Sequence, residues 1–219
     1  MSSDFFHDET RLSRLGMPEA IYCEGKDTPA LAAILAHLTQ EQRPALLTRL
    51  AVDRQRELAT ELRAAMDYDA RSFTGIVHGC LPPRQGSVAV VTAGTSDLQV
   101  AGEAQRTLQF SGFSAQLIAD VGVAGIHRLF ARLDEIRGHD VVIVVAGWDA
   151  ALASVMGGLV SQPVIAVPSS TGYGVASGGQ TSLNAMLASC GQGVMVTNID
   201  NGFGAACGAV RILNRMFPQ

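Results

Sequence analysis

Charge is scarce in this sequence: Asp, Glu, Lys and Arg make up 16% of the residues, while hydrophobic residues make up 47%. A chain so poor in solvating side chains cannot cover itself with them, so part of its apolar surface is expected between subunits of a homo-oligomer. No basic run occurs, and the formal net charge is −4. Non-specific nucleic-acid binding needs clustered Lys and Arg to displace counterions, so nucleic acid is excluded as a partner. No basic segment followed by an apolar one opens the chain; Met1 to Leu12 is polar and acidic, with no secretory leader visible. The most apolar run, Val141 to Trp148, is far too short to span a bilayer. The expectation is a soluble, cytoplasmic protein without a membrane partner.

Cysteine is sparse too. Cys23, Cys80, Cys190 and Cys207 are scattered, with no C-x-x-C and no histidine at metal-ligand spacing. Neither a disulfide framework nor a structural zinc site is expected. The Walker P-loop and the G-x-G-x-x-G fingerprint are both missing, which disfavours a standard Rossmann dehydrogenase. There is no internal repeat and no low-complexity tract.

What is present is alternation. Ser87–Thr92, Ser114–Ala119, Val141–Ala146, Pro163–Val167 and Val194–Thr197 are short apolar runs, each followed by a polar or Gly-rich loop and then a segment of helical period. Val100, Ala104 and Leu108 share one helical face. Val123, Ile126, Phe130 and Leu133 follow the 3.6-residue period, and Val210, Leu213 and Met216 mark a terminal helix. Buried strands alternating with helices predict an α/β fold, a parallel sheet with helices on both faces in a Rossmann-type three-layer domain. The N-terminal part reads as a small α/β domain. Leu31, Ile34, Leu35 and Leu38 form one helical face, and Leu58, Leu62 and Met66 suggest another. Strands are expected at Ala20–Cys23, Ala45–Leu50 and Ser72–Val77. Pro82-Pro83 followed by Gly86 reads as a linker, dividing the chain into domains 1–81 and 86–219.

Polar residues concentrate just after the five predicted C-terminal strands. The loops are Thr92-Ala93-Gly94-Thr95-Ser96-Asp97, Asp120-Val121-Gly122, Gly147-Trp148-Asp149, Ser169-Ser170-Thr171-Gly172-Tyr173-Gly174 and Asn198-Ile199-Asp200-Asn201-Gly202. In an open parallel sheet these loops share the carboxyl edge, where such folds bind ligands. Gly94, Thr95, Ser96 and Asp97 lead into a helix whose first N–H groups lack internal partners, which suits a phosphate. The alternative is that Ser96 or Asp97 simply caps that helix. The Ser169–Gly179 stretch reads either as a mobile cover over a ligand or as a close subunit contact. Asp200 and Asn201 can bind hydroxyls or ring substituents, or form a turn and cap. Asp149 reads locally as an N-cap for a helix starting near Ala150, with acid/base chemistry as the other reading. Cys190 ends an apolar helix containing Leu183, Met186 and Leu187; pattern alone makes it a buried small hydrophobe, and a helix C-terminus disfavours a thiolate.

Taken in order, T-A-G-T-S-D, D-V-G-V-A-G-I-H-R-L, V-V-I-V-V-A-G, P-V-I-A-V-P, the Gly172-Tyr173-Gly174 loop, Ser189-Cys190 and N-I-D-N-G-F-G resemble the LarB family, as does R-L-G-M-P-E-A-I-Y-C-E-G-K at Arg14 to Lys26. The C-terminal domain also resembles PurE, a purine-pathway carboxylate mutase, through its T-S-D loop. PurE usually carries a catalytic histidine after the third strand, whereas this chain has A-G-W-D-A-A-L-A-S-V-M.

The LarB resemblance implies carboxylation of C5 of the pyridinium ring of nicotinic acid adenine dinucleotide by CO2 or bicarbonate. It also implies cleavage of the phosphoanhydride, with release of AMP and pyridinium-3,5-biscarboxylic acid mononucleotide. It assigns Cys190 to addition at ring C4 and Asp149 to acid/base work. Asp149 stands where the family usually has Glu, and Trp148 where Met is typical. Gly94, Thr95 and Ser96 would hold phosphate, and Asp200 and Asn201 the ribose or ring. The resemblance further implies magnesium for anhydride cleavage, with no ligand set legible, no tightly bound organic cofactor, and an octamer. A PurE-type shift on carboxyaminoimidazole ribonucleotide and a non-catalytic nucleotide-binding module are the alternatives.

Overall fold

The computed structural model describes residue 8 and residues 10–218; the acidic opening segment otherwise lies outside the described residues. A short helix α1 (Arg11–Leu15) precedes β1 (Ala20–Tyr22), α2 (Thr28–Gln40) and β2 (Ala45–Thr48). Helices α3 (Val52–Glu57) and α4 (Thr60–Ala64) then lead to the hairpin of β3 (Met66–Asp69) and β4 (Thr74–Val77). These strands form a four-stranded sheet in the order β1-β2-β4-β3, with β1 parallel to β2 and the other pairs antiparallel. Asp27 starts α2 by accepting the Ala30 N–H at 2.8 Å, and Pro29 occupies the first turn, where its missing donor costs nothing. The buried face of α2 is Leu31, Ile34, Leu35 and Leu38, as the periodicity predicts.

One expectation in this part fails. Leu58, Leu62 and Met66 do not share a helix. Leu58 is extended (φ −67°, ψ 150°) between α3 and α4, and Met66 begins β3, opposite Val77. Burial of Leu58 and Met66 in one cluster with Leu31 and Leu35 decides the path here over local helical propensity. Met66 also needs the bare backbone of Gly75, since a Cβ there would lie 2.5 Å from its sulfur.

The second sheet has five parallel strands: β5 (Ser87–Thr92), β6 (Ser114–Ile118), β7 (Val141–Ala146), β8 (Val164–Pro168) and β9 (Met195–Val196), in the order β6-β5-β7-β8-β9. The predicted strands are all present, with ends shifted by a residue or two. Helix α5 (Leu98–Phe110) follows β5, α6 (Ile126–Arg137) follows β6, α7 (Ala151–Leu159) follows β7, α8 (Gln180–Leu187) follows β8, and α9 (Gly202–Met216) ends the described chain. Every residue of β7 is buried, because helices cover both faces: α5 and α9 on one side, α6, α7 and α8 on the other. This is the three-layer α/β fold expected, with a smaller sheet ahead of it. Among the described residues no helix is long and apolar enough to cross a membrane.

Two helical faces differ from the periodicity. The inner face of α6 is Leu129, Leu133 and Ile136, leaving Phe130 exposed, because Val123 falls in a separate turn before the helix and the face is rotated. On α9 the inner face is Ala205, Ala206, Ala209, Val210 and Leu213, with Met216 exposed near the end. The small residues let α9 approach α5 closely; a Cβ on Gly202 would run into the Val100 carbonyl.

The outer face of the small sheet is not solvent-facing. Leu46 of β2 and Ile76 of β4 are buried together with Phe110 at the end of α5, with Phe203 of α9 packed alongside. Arg106 of α5 ties the same two parts together, pairing with Asp67 at 2.8 Å. The carboxyl end of β2 is thereby brought beside the start of α9.

Candidate functional site

The strand order reverses at β5 and β7, whose chain continuations depart in opposite directions along the sheet. Ligands of open α/β sheets bind at the carboxyl ends of such strands. Several non-glycine residues with positive φ gather at that edge: Asp120 after β6, Trp148 and Ala150 after β7, and Asp200 after β9. Arg49, just past β2 in the small sheet, shares this conformation (φ 53°). Such backbone is costly for residues with a Cβ and persists only where surrounding contacts enforce it.

Those contacts can be traced. Asp200 donates its N–H to the Pro168 carbonyl (2.8 Å), and its Oδ1 accepts the Ser170 N–H (2.8 Å), fastening the loop after β8 to the loop after β9. The Ser169 hydroxyl donates to Thr171 Oγ1 (2.8 Å), and the Ser182 hydroxyl donates to the Trp148 carbonyl (3.0 Å). Gly147 allows the β7 and β8 loops to meet, since a Cβ there would collide with the Thr171 carbonyl, which accepts the Trp148 N–H at 3.0 Å. Trp148 and Tyr173 stack edge to face, with ring centroids 4.6 Å apart.

The result is a recess between the two sheets. The larger sheet supplies Ser96, Ser170, Thr171 and Asp200 together with Gln99 and Glu103 of α5; the smaller one supplies Arg49 and Ser72. Two buried acids stand here: Glu103 lines the recess, and Asp97 follows Ser96 in the turn beside it. Asp97 is 3% exposed; one oxygen accepts the Gly94 N–H at 2.9 Å, and Oδ1 is buried without a hydrogen-bond partner. Burial pushes its carboxyl above the ordinary aspartate range, with the charge of Asp200 acting the same way. The Gly94 N–H and the neighbouring Ser169 and Thr171 hydroxyls pull it back. Glu103 is 5% exposed and accepts the Phe203 N–H at 3.0 Å. Burial raises its carboxyl as well, against the Phe203 N–H and the Arg49 charge.

The residues singled out from sequence do not all meet in one place. Ser96, Ser169, Ser170 and Asp200 converge on the recess, and Gly94, Thr95 and Asp97 belong to the same turn as Ser96. Asp97 does not cap α5; it folds back onto Gly94. Asn201 lines an adjoining recess with Tyr22, Thr48 and Arg49, and its side chain caps α9 by accepting the Gly204 N–H at 2.8 Å. Gly172, Tyr173 and Gly174 carry the loop outward, leaving Tyr173 74% exposed. Asp149 is exposed, with Oδ1 3.3 Å from the Ala151 N–H at the start of α7.

Cys190 corrects an expectation. It is exposed, not a buried hydrophobe, because α8 ends at Leu187 and the chain turns out before β9. Its neighbours fix it along α7: the Ser189 and Ser154 hydroxyls lie 2.7 Å apart, and Gly191 sits against Gly157. It is not among the residues lining the recess of its own chain.

Sequence reasoning missed Arg49, Ser72, Gln99 and Glu103. Glu103 left a signal, an acid flanked by Val100 and Ala104 on an apolar helical face. Arg49 left little, since the strand was expected to run through it to Leu50. Among the described residues no group of three or more His, Cys, Asp or Glu side chains can hold a metal ion.

A five-stranded parallel sheet with its polar loops on one edge and a Thr-Ser-Asp turn after the first strand defines a Rossmann-type α/β protein. Residues 87–219 match the AIR carboxylase family, and residues 6–78 match the LarB/PurE-like N-terminal domain. The chain belongs to the LarB family, with a PurE-like C-terminal domain. Uncharacterized protein MJ0165 of Methanocaldococcus jannaschii is 41% identical over 208 residues, spanning 90% of this chain and 79% of that protein.

Proposed function

We propose that this chain is a carboxylase and hydrolase acting on nicotinic acid adenine dinucleotide, giving pyridinium-3,5-biscarboxylic acid mononucleotide and AMP. The observation that carries the reading is an exposed thiol, Cys190, on a carboxylase-type fold whose loop after the third parallel strand has Trp148 and Asp149 and no histidine. A pyridinium ring is electron-poor, so C5 cannot attack CO2 by itself. Addition of the Cys190 thiolate to C4 moves an electron pair into the ring and gives a neutral dihydropyridine with a nucleophilic C5. C5 then bonds to the carbon of CO2. Loss of the C5 proton to a base and departure of the thiolate restore the aromatic ring. Asp149 is the base in this scheme, held beside the start of α7. Water cleaves the anhydride, leaving one phosphate on each nucleotide. Ser96 and the backbone of Gly94 and Thr95 bind phosphate, while Ser170 and Asp200 position ribose or ring.

The separation of Cys190 from the recess of its own chain makes assembly part of this proposal. Val175 (93% exposed), Tyr173 and Leu187 are exposed apolar side chains. Their burial against further copies would build a homo-oligomer in which the thiol of one chain serves a neighbour. We further propose that the protein works in the cytoplasm.

The test is incubation of the purified protein with the dinucleotide, bicarbonate and magnesium, followed by mass spectrometry. AMP, a dicarboxylated mononucleotide and an adduct on Cys190 are expected, with Cys190→Ala yielding no carboxylated product. Full activity of that variant overturns the thiol mechanism. Turnover of carboxyaminoimidazole ribonucleotide in place of the dinucleotide overturns the substrate, and tight dinucleotide binding without any product overturns the enzyme reading.

A further inference from the structure

We propose that Arg49 is the anion receptor of this recess: carried across from the small sheet, its guanidinium binds an anionic oxygen group of the substrate, the ring carboxylate or a phosphate. The substrate named here rests on the dinucleotide reading above; the anion receptor itself does not require it.

The first support is position. Arg49 is the cationic side chain among those lining the recess and also lines the adjoining recess with Asn201, so it stands at the junction of the two. The second is how its donors are used. Nη2 donates to the Asp200 carbonyl at 2.5 Å, while the carboxylates of Glu24 and Glu103 stand 3.6 and 3.8 Å away, within ion-pair range but beyond a good hydrogen bond. Among the described residues no carboxylate grips the guanidinium in the two-pronged manner that would satisfy it, so its fork remains available to a carboxylate or phosphate. The third is charge. Burial pushes the Glu103 carboxyl up, and its Oε2 is already taken by the Phe203 N–H at 3.0 Å. Glu24, largely exposed and held by the Tyr22 hydroxyl at 2.6 Å, is a displaceable counterion.

Rigidity is the fourth support. Leu47, Thr48 and Leu50 on either side of Arg49 are buried, and the Leu50 N–H is bonded to the Phe73 carbonyl at 2.8 Å. Arg49 holds a left-handed backbone conformation between them, and that conformation turns the side chain off β2 toward the loop of Asp200. A strained residue locked on both sides is a pre-organised one. The small sheet then contributes chemistry to the site, not only cover.

Calorimetry of the full chain with three probes tests this: nicotinic acid adenine dinucleotide, its amide counterpart NAD+, and inorganic pyrophosphate. Arg49→Gln is expected to weaken binding of the acid dinucleotide by at least about tenfold, the loss of a charge-assisted hydrogen bond. Arg49→Lys, which keeps charge but not the fork, falls between. Loss confined to the acid dinucleotide supports the ring carboxylate as the bound group; loss shared by all three probes supports a phosphate. Glu24→Gln removes the competing carboxylate and tightens the same probes, an effect that a purely structural Arg49 does not predict. Should Arg49→Gln fail to fold, Arg49→Lys and Glu24→Gln carry the test: weaker binding in one and tighter in the other supports the receptor, and no change in both overturns it. Wild-type affinity in a folded Arg49→Gln variant overturns it, as does a wild-type protein that binds none of the probes. If pyrophosphate binding depends on Arg49 but wild-type protein releases no AMP from the dinucleotide, the functional reading fails and the receptor stands. If AMP is released with an unchanged KM in Arg49→Gln, the reverse holds.

Discussion

Phe110→Ala separates the contribution of the small sheet from that of the parallel one. Phe110 ends α5, is 2% exposed, and is buried with Leu46 and Ile76, with Phe203 packed alongside. It is not among the residues that line either recess, yet it anchors the sheet that carries Arg49. Truncating a fully buried Phe costs about 3–5 kcal/mol, from lost transfer energy and the cavity left behind. Domains of ordinary stability, about 5–15 kcal/mol, survive that loss, so the variant is expected to remain folded but marginal. The cavity opens between the two sheets, and the loss is therefore expected to be local. Urea denaturation should show a drop of a few kcal/mol. Hydrogen exchange should accelerate at Leu46, Leu47 and Thr48 while Val142 to Val145 of β7 stay protected. Anion binding should weaken in parallel, because the Arg49 guanidinium loses its fixed position against the Asp200 carbonyl. Denaturation unchanged to within about 1 kcal/mol, or exchange accelerated equally in both sheets, would refute the argument that this contact docks one sheet on the other.

Three further outcomes follow from the site. Asp97→Asn should stabilise the protein at neutral pH. Burial raises the folded-state pKa of Asp97, so its stabilising contribution is complete below the unfolded aspartate pKa and is lost as pH rises through the raised value. The melting-temperature gap between variant and wild type should therefore close on acidification, and a gap that is constant with pH counts against a carboxyl pushed up by burial. Gly147→Ala drives a methyl into the Thr171 carbonyl and should cost about 1–3 kcal/mol while raising KM, since it parts the β7 and β8 loops; wild-type melting and kinetics would show that the loops do not depend on this close approach. Asp149→Asn should lower kcat by about 10²–10⁴ if the carboxylate moves a proton, with Asp149→Glu retaining activity; a normal kcat in Asp149→Asn leaves that residue with its local hydrogen bond to Ala151 alone.

The parallel sheet was legible because its strands are short β-branched runs such as Val141–Ala146, separated by helices of clear period, and burial on both faces leaves no ambiguity of register with solvent. The polar loops were legible for the same reason: once the strands are placed, their carboxyl ends share an edge. Errors arose where local pattern and tertiary burial disagree. Met66 carries a helical spacing to Leu62 but is claimed by a hairpin and a core cluster. Cys190 follows an apolar helix, yet the helix stops three residues earlier and the thiol faces out.

Sequence alone therefore determined the class of fold, the edge on which the polar loops gather and the Ser, Thr and Asp side chains placed there, since all of these follow from the order of apolar and polar residues along the chain. Only the tertiary structure decided that Arg49 and Ser72 line one recess with Glu103 and Asp200, the Arg49–Asp200 bond alone spanning 151 positions. Periodicity records which face of an element is buried. It carries no record of which distant element buries it, and that pairing is what brings the arginine to the acids.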